Sequence, residues 1–95
     1  MIYIASAKFR VNVTWANSLK DRRQVAQKVR DWIKSKYNVS VKLIYEDHMR
    51  RFELYICMVS DDGDYLNAVI DEILAWLDED ASLDVSCEYD VDSWK

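Results

Sequence analysis

Residues 2–13 read IYIASAKFRVNV, an alternating stretch that sets the fold. One side of an extended chain would carry the residues Tyr3, Ala5, Ala7, Phe9, Val11 and Val13. The other side would carry two isoleucines followed by polar residues. Because side chains along a strand point alternately to opposite faces, these residues are predicted to form a strand with one buried face.

Outward from this strand, the sequence predicts two helices and three further strands. Apolar residues recur at helical spacing over residues 18–37. Ser18 is the expected N-cap, with Asp21 three residues on, and Asn38 is the expected left-handed C-cap. The later elements are a strand at 39–45, a hairpin loop at 46–50, a strand through 52–58, a helix from 60–64 to about 80, and a strand through 83–91.

The predicted order is β-α-β-β-α-β, the split-βαβ arrangement of ferredoxin-like domains. Right-handed crossovers then give an antiparallel sheet in the order 4-1-3-2, with both helices on one face. We therefore expect an α+β two-layer sandwich that forms a single domain over residues 1–95.

Composition narrows the class of protein. Hydrophobic residues make up 51% of the chain, which excludes a disordered protein. No apolar run approaches the ~18 residues of a membrane span, and the first residues do not resemble a signal peptide, so a cytoplasmic location is expected. The chain has no proline and one glycine, a composition that fits either a natural or an engineered sequence.

Residue types that carry catalysis or bind metals are sparse. Cys57 and Cys87 are far apart and, with the single His48, do not supply a zinc site. They are predicted to lie on opposite sheet faces, which excludes a disulfide. The single glycine, Gly63, excludes a Gly-rich phosphate loop. We expect no catalytic residues, metal, cofactor or small-molecule substrate, and the same lack disfavours a hydrolase of the acylphosphatase type, which shares this fold.

Charge is divided along the chain. Twelve of the 13 lysines and arginines lie in residues 1–60, and twelve of the 17 acidic residues lie in 61–95. Charge placement governs partners and association more than fold, so this division points to binding.

Three short motifs carry a family resemblance: SLKDRR at 18–23, YNVSV at 37–41 and VSD at 59–61. Over roughly residues 1–80 the chain resembles the YlxP-like family, small bacterial proteins of unknown function. It departs from the family pattern before the first helix, at the end of strand two and in the hairpin. Because that family's genes often lie beside those of translation factors, the resemblance implies an RNA or ribosome partner.

Basic residues on the first helix are a candidate anion- or RNA-binding surface. The candidate residues are Lys20, Arg22, Arg23, Arg30 and Lys34. The alternative is ion pairing, within the chain or across a dimer, with the acidic end of the second helix, residues 78–80, which antiparallel helices would bring to the same edge. Arg22 falls on the apolar side of this helix, so its head is expected to extend to solvent, with a buried ion pair as the alternative.

The sheet face without helices is a candidate interface. Lys8 and Arg10 are expected to pair there with acids of the fourth strand. These acids repel phosphate, and Tyr55 is the only central aromatic residue, so RNA binding on this face is disfavoured. An apolar patch is predicted from Ile2, Ile4, Ile44, Tyr55, Cys57 and Val59. The alternative is that the C-terminal segment folds back and covers the patch with Trp94.

The sequence therefore predicts a small non-enzymatic binding or assembly module that forms a homodimer through the open sheet face. The alternative function is an RNA- or ribosome-associated protein that uses the basic first helix.

Overall fold

A four-stranded antiparallel sheet carries two helices on one face. The computed structural model describes residues 1–94, so Lys95, the last residue of the predicted domain, lies outside the described residues. The elements are β1 (Ile2–Val13), α1 (Leu19–Lys36), β2 (Ser40–Tyr45), β3 (Arg51–Ser60), α2 (Gly63–Asp78) and β4 (Leu83–Trp94). The sheet order is β2-β3-β1-β4, which confirms the predicted topology.

The core lies between the sheet and the helices. The alternation predicted for β1 is confirmed, because its odd-numbered residues from Ala5 to Val13 are all buried. Phe9 of β1 and Phe52 of β3 are fully buried, and Ile33 of α1 and Ile70 of α2 belong to the same buried cluster from the helix layer. Burial of this apolar layer is the main stabilising contribution to the fold.

Helix α1 begins where the sequence predicts. Ser18 is extended, and its Oγ accepts a hydrogen bond of 3.1 Å from the Asp21 N–H. The Asp21 carboxylate accepts a second bond, of 3.0 Å, from the Asn17 N–H. The expected left-handed cap at Asn38 is wrong, because Tyr37 ends the helix in an extended conformation and Asn38 has no positive φ. With β2 starting at Ser40, the chain passes directly from helix to strand.

The helices are antiparallel, as predicted. The indole rings of Trp32 and Trp76 stack with centroids 3.9 Å apart, and Lys36, one turn later in α1, forms an ion pair with Glu72, one turn earlier in α2. The start of α1 therefore lies near the end of α2. Neither helix is both long and apolar enough to cross a membrane within residues 1–94.

Candidate interaction surfaces

The open sheet face is organised in cross-strand rows, because residues that pair directly in an antiparallel sheet share a face. The central row runs from β2 to β4 as Lys42, Tyr55, Lys8 and Glu88. The rows on either side are Ile44, Glu53, Arg10 and Ser86, and Ser40, Cys57, Ser6 and Asp90. No helix covers these residues, so the face is free for a partner.

A cluster of charges occupies the middle of this face. Glu53 is only 9% exposed, and its Oε2 lies 2.9 Å from Lys8 Nζ and 3.2 Å from Arg10 Nη2. Arg10 Nε also lies 3.2 Å from Glu46 Oε2. The hydrogen bond from Lys8, and after it that from Arg10, lowers the pKa of Glu53. This carboxylate is therefore held in its ionised form.

The predicted pairing of Lys8 and Arg10 with acids of the fourth strand is wrong. Lys8 lies opposite Glu88 in the register, yet its ammonium group bonds Glu53 on the other neighbouring strand. Glu53 lies on the central strand β3, next to both cations of β1. A partly desolvated carboxylate binds such cations more strongly than an exposed carboxylate at the sheet edge does. The acids of β4 therefore remain exposed and available to a partner.

An apolar cluster occupies one end of the open face. Ile4 pairs with Val59 of β3, and Ile2 pairs with Trp94 of β4. Val59 is 66% exposed and Trp94 is 62% exposed. The alternative in which Trp94 covers the patch is wrong, because β4 continues as a strand to Trp94 and places this side chain beside Ile2. We call Ile2, Ile4, Val59 and Trp94 the apolar end.

The six predicted patch residues are only partly adjacent. Ile44 pairs with Glu53, six residues along β3 from Val59, so about 20 Å separates it from the apolar end. Tyr55 lies in the charged central row, and Cys57 lies between that row and Val59. Sequence alternation assigns a face but not a position along it, so the separation appears only once the register is known.

Most of the candidate basic residues on α1 are exposed. Lys20, Arg23 and Lys34 form no ion pair with the acids described in residues 1–94. Arg30 Nε lies 3.0 Å from Asp31 Oδ1 on the same helix. Three exposed cations thus remain, two of them at the end of α1 where the helix dipole is positive.

Arg22 does not belong to this basic surface. Its side chain is buried, and its Nη1 donates hydrogen bonds of 2.9, 2.9 and 3.3 Å to the main-chain oxygens of Glu46, His48 and Arg51. The guanidinium carbon also lies 4.7 Å from the centre of the Tyr45 ring. Both expectations for Arg22, a head in solvent and a buried ion pair, are wrong, because carbonyl groups of the hairpin loop satisfy its charge.

Within one chain, the described residues do not form the expected ion pairs between the start of α1 and the end of α2. Asp80 instead accepts hydrogen bonds from the Ser82 hydroxyl, at 2.6 Å, and N–H, at 2.9 Å. These bonds lower the pKa of Asp80, with a smaller contribution from Lys28 of α1. The cations at the start of α1 therefore keep their charge uncompensated by this acidic end.

A groove runs between the two helices at the same edge. Its walls include Trp15, Trp76, Val25, Lys28 and Asp80, and its volume is about 520 Å³.

The two cysteines are free, Cys57 on the open face and Cys87 on the helix side of β4, as predicted. Nowhere in residues 1–94 do three or more histidine, cysteine or acidic side chains converge to hold a metal ion.

Comparison with known proteins identifies a family and a fold. A family model described as "Protein of unknown function (DUF503)" matches residues 4–88. No curated protein matches the chain significantly.

Several solved structures share the architecture. The de novo designed protein Foldit4 aligns at 14% identity over 97% of this chain and 99% of its own, with a TM-score of 0.59. The de novo designed protein LFR1 1, described as having a ferredoxin fold, aligns at 13% identity over 97% and 91%, with a TM-score of 0.57. SnoaB, a cofactor-independent oxygenase from Streptomyces nogalater, aligns at 14% identity over 97% and 93%, with a TM-score of 0.56. Identities this low establish the ferredoxin-like fold alone.

Proposed function

As this chain belongs to the DUF503 family of proteins of unknown function, we propose that it is a small non-enzymatic binding module that assembles through the open face of its sheet. The observation that carries the proposal is the uncovered face itself, with exposed apolar side chains at one end and separated charges across its width. Exposed apolar groups gathered at one place are characteristic of interaction surfaces.

The charged cluster on that face supports a binding role better than a catalytic one. Lys8, Arg10 and Glu53 hold one another in ion pairs. A carboxylate with a lowered pKa is a weak base near neutral pH, which disfavours general acid–base catalysis by Glu53. The cluster instead fixes the side chains of the face in one arrangement, which reduces the entropy lost on binding.

The first partner we propose is a second copy of the same chain. Sedimentation velocity over about 5–500 µM, a range that covers weak transient interfaces, should show a concentration-dependent dimer. Val59→Glu should give a monomer, because it places a charge in the apolar end.

The matched control is Leu19→Glu, which adds the same charge at an exposed leucine of the helix layer, 52% exposed, and should leave the dimer intact. A wild-type chain that stays monomeric at all concentrations would exclude self-association. A dimer unaffected by Val59→Glu would exclude this surface.

A second candidate function is RNA or ribosome binding through α1. The exposed cations Lys20, Arg23 and Lys34 favour it. Among the described residues, the acidic end of α2 forms no ion pair with them. Phosphate groups bind well at a positive helix end that carries added basic side chains. Arg22 is not part of this surface, since its side chain is buried and its Nη1 donates to the hairpin.

The RNA candidate is tested by titrating a structured RNA at low salt. Binding should weaken steeply with added salt and be lost in Arg23→Glu, because phosphate contacts release counterions. Lys42→Glu, with the same charge change on the sheet layer, should bind as the wild type does. Lack of binding by the wild-type chain would exclude this function.

Two finer assignments remain proposals. The motifs at 18–23 and 37–41 support placing the chain with the YlxP-like proteins, and its composition supports a cytoplasmic location. Localisation of a tagged full-length chain in cells would test the second.

A further inference from the structure

We infer that two copies pack face to face about a twofold axis parallel to their strands, so that β4 of each copy lies over β2 of the other. The inference rests on the proposed self-association and adds its geometry. This axis passes above the line between β3 and β1. Rotation about it reverses the strand order, so that the strands β2-β3-β1-β4 of one copy lie over β4-β1-β3-β2 of the other. β1 of each copy then faces β3 of the other.

Charges in the central row determine this arrangement. Lys42 lies at the β2 edge and Glu88 at the β4 edge of the same row. Rotation about an axis parallel to the strands leaves each row at the same position along the strands and reverses the order of the residues within the row. Lys42 therefore faces the partner's Glu88, and the reverse pair forms by symmetry.

The neighbouring rows are complementary under the same operation. Glu53 faces the partner's Arg10 in the next row, and Ser40 faces the partner's Asp90 in the row on the other side. At the end of the face, Val59 meets the partner's Ile4, which buries the two apolar ends against each other. Like charges do not meet in any of these rows.

Other symmetric arrangements bring like charges together. A twofold axis across the strands would lay β4 on β4, with exposed acids at 84, 88, 90 and 92 on both sides. The same axis would place the apolar end against the opposite end of the face, where Arg51 and Asn12 pair. Side-by-side pairing of two β4 edges also opposes acid to acid, and such contacts disfavour an arrangement.

The face has the size that a modest dimer needs. Four strands about 4.8 Å apart, with a rise of about 3.4 Å per residue, present roughly 600–700 Å². A standard interface buries about 800 Å² per partner, and aligned sheets pack about 10 Å apart at roughly 30°. Because the central charges already pair within each chain, we expect a dimer of micromolar affinity.

The test is a charge exchange at Lys42 and Glu88, measured by sedimentation of the full chain at low salt. Lys42→Glu and Glu88→Lys should each weaken dimerisation by about fivefold or more, and the double variant should return to within about threefold of the wild type. Within one chain the two residues lie on opposite edges of the sheet, three strand spacings or about 14 Å apart. Recovery must therefore come from contacts between copies.

The control double variant combines Lys42→Glu with Glu79→Lys, the same change from acid to lysine at an exposed position of the helix layer, which should not restore dimerisation. Thermal unfolding of each variant verifies that it is folded. A wild-type dimer without recovery in the Lys42/Glu88 double variant would overturn this orientation and leave self-association standing. A monomeric wild type would overturn both.

Discussion

The indole rings of Trp32 and Trp76 lie parallel, with an interplanar angle of 1° and centroids 3.9 Å apart. Both side chains are half-buried, and each comes from a different helix. Lys36 Nζ lies 5.0 Å from the centre of the Trp32 ring and also pairs with Glu72 of α2. The stack and this ion pair therefore link the two helices directly.

Replacing Trp76 with alanine should destabilise the fold by roughly 2–3 kcal/mol, from lost burial and lost stacking. Urea unfolding measures this change. Trp15→Ala is the control, because Trp15 is 47% exposed and lies in a loop. Its loss should be no more than about 1 kcal/mol. Equal losses in the two variants would contradict a special role for the stack.

Replacing Arg22 with methionine keeps the buried stem and removes the donors to three main-chain oxygens. We expect a loss of about 2–4 kcal/mol, because three hydrogen bonds from a charged donor to main-chain oxygens are lost. Amide exchange in residues 46–51 should accelerate more than in the rest of the sheet. Arg23→Met, one residue along but exposed, should change stability by less than about 0.5 kcal/mol. Similar effects of the two substitutions would refute the assigned contacts.

Replacing Glu53 with glutamine should lower the Tm at pH 7, and the deficit should shrink in acid. The lowered pKa of Glu53 means that the unfolded chain takes up a proton first as pH falls. The ionised Glu53 side chain therefore stabilises the fold at neutral pH. This contribution decreases once the pH falls below about 4.3, the ordinary pKa of a glutamate, and is lost as the pH passes through the lower pKa of Glu53 in the folded state. Melting curves from pH 3 to 7 measure it. A Tm difference independent of pH would contradict the ion pairs with Lys8 and Arg10.

Alkylation should distinguish the two thiols. Burial, and after it the nearby acids Asp71 and Glu88, raises the pKa of Cys87, which lowers its thiolate fraction. Iodoacetamide at pH 8 should therefore modify the exposed Cys57 first, as followed by mass spectrometry. Because Cys57 lies on the open face, its rate should fall as protein concentration rises through the dimer range. In Val59→Glu the rate should not depend on concentration. Faster reaction of Cys87 would contradict the assigned burial.

The sequence predicted the fold because local patterns and topology agreed. Alternation in β1, the cap at Ser18 and helical spacing in α1 and α2 each required only neighbouring residues. Right-handed crossovers then left one sheet order to consider. The failure at Asn38 was local, because a C-cap conformation depends on where the next strand must begin.

The surfaces were less predictable, since they depend on register and on contacts between distant residues. Ile44 and Val59 share a face, but their distance along it follows from which residues pair across β2 and β3. Arg22 was expected to reach solvent. This was wrong because the hairpin loop covers the beginning of α1, and helical periodicity does not indicate such a contact between distant residues. The ion pairs of Glu53 with Lys8 and Arg10 were not predicted, because alternation along a strand does not indicate which of two neighbouring strands a side chain contacts.

Arg22 holds the hairpin through main-chain oxygens and does not read the side chains of the loop. The shape of residues 46–51 is thereby encoded partly outside that segment, in a helix more than twenty positions earlier in the chain. The exposed side chains of Asp47 and Met49 can consequently vary with little effect on how the loop closes, whereas the His48 ring accepts a hydrogen bond of 3.2 Å from the Arg50 N–H. This makes positions 47 and 49 suitable places to attach a reporter group without disturbing either layer of the sandwich.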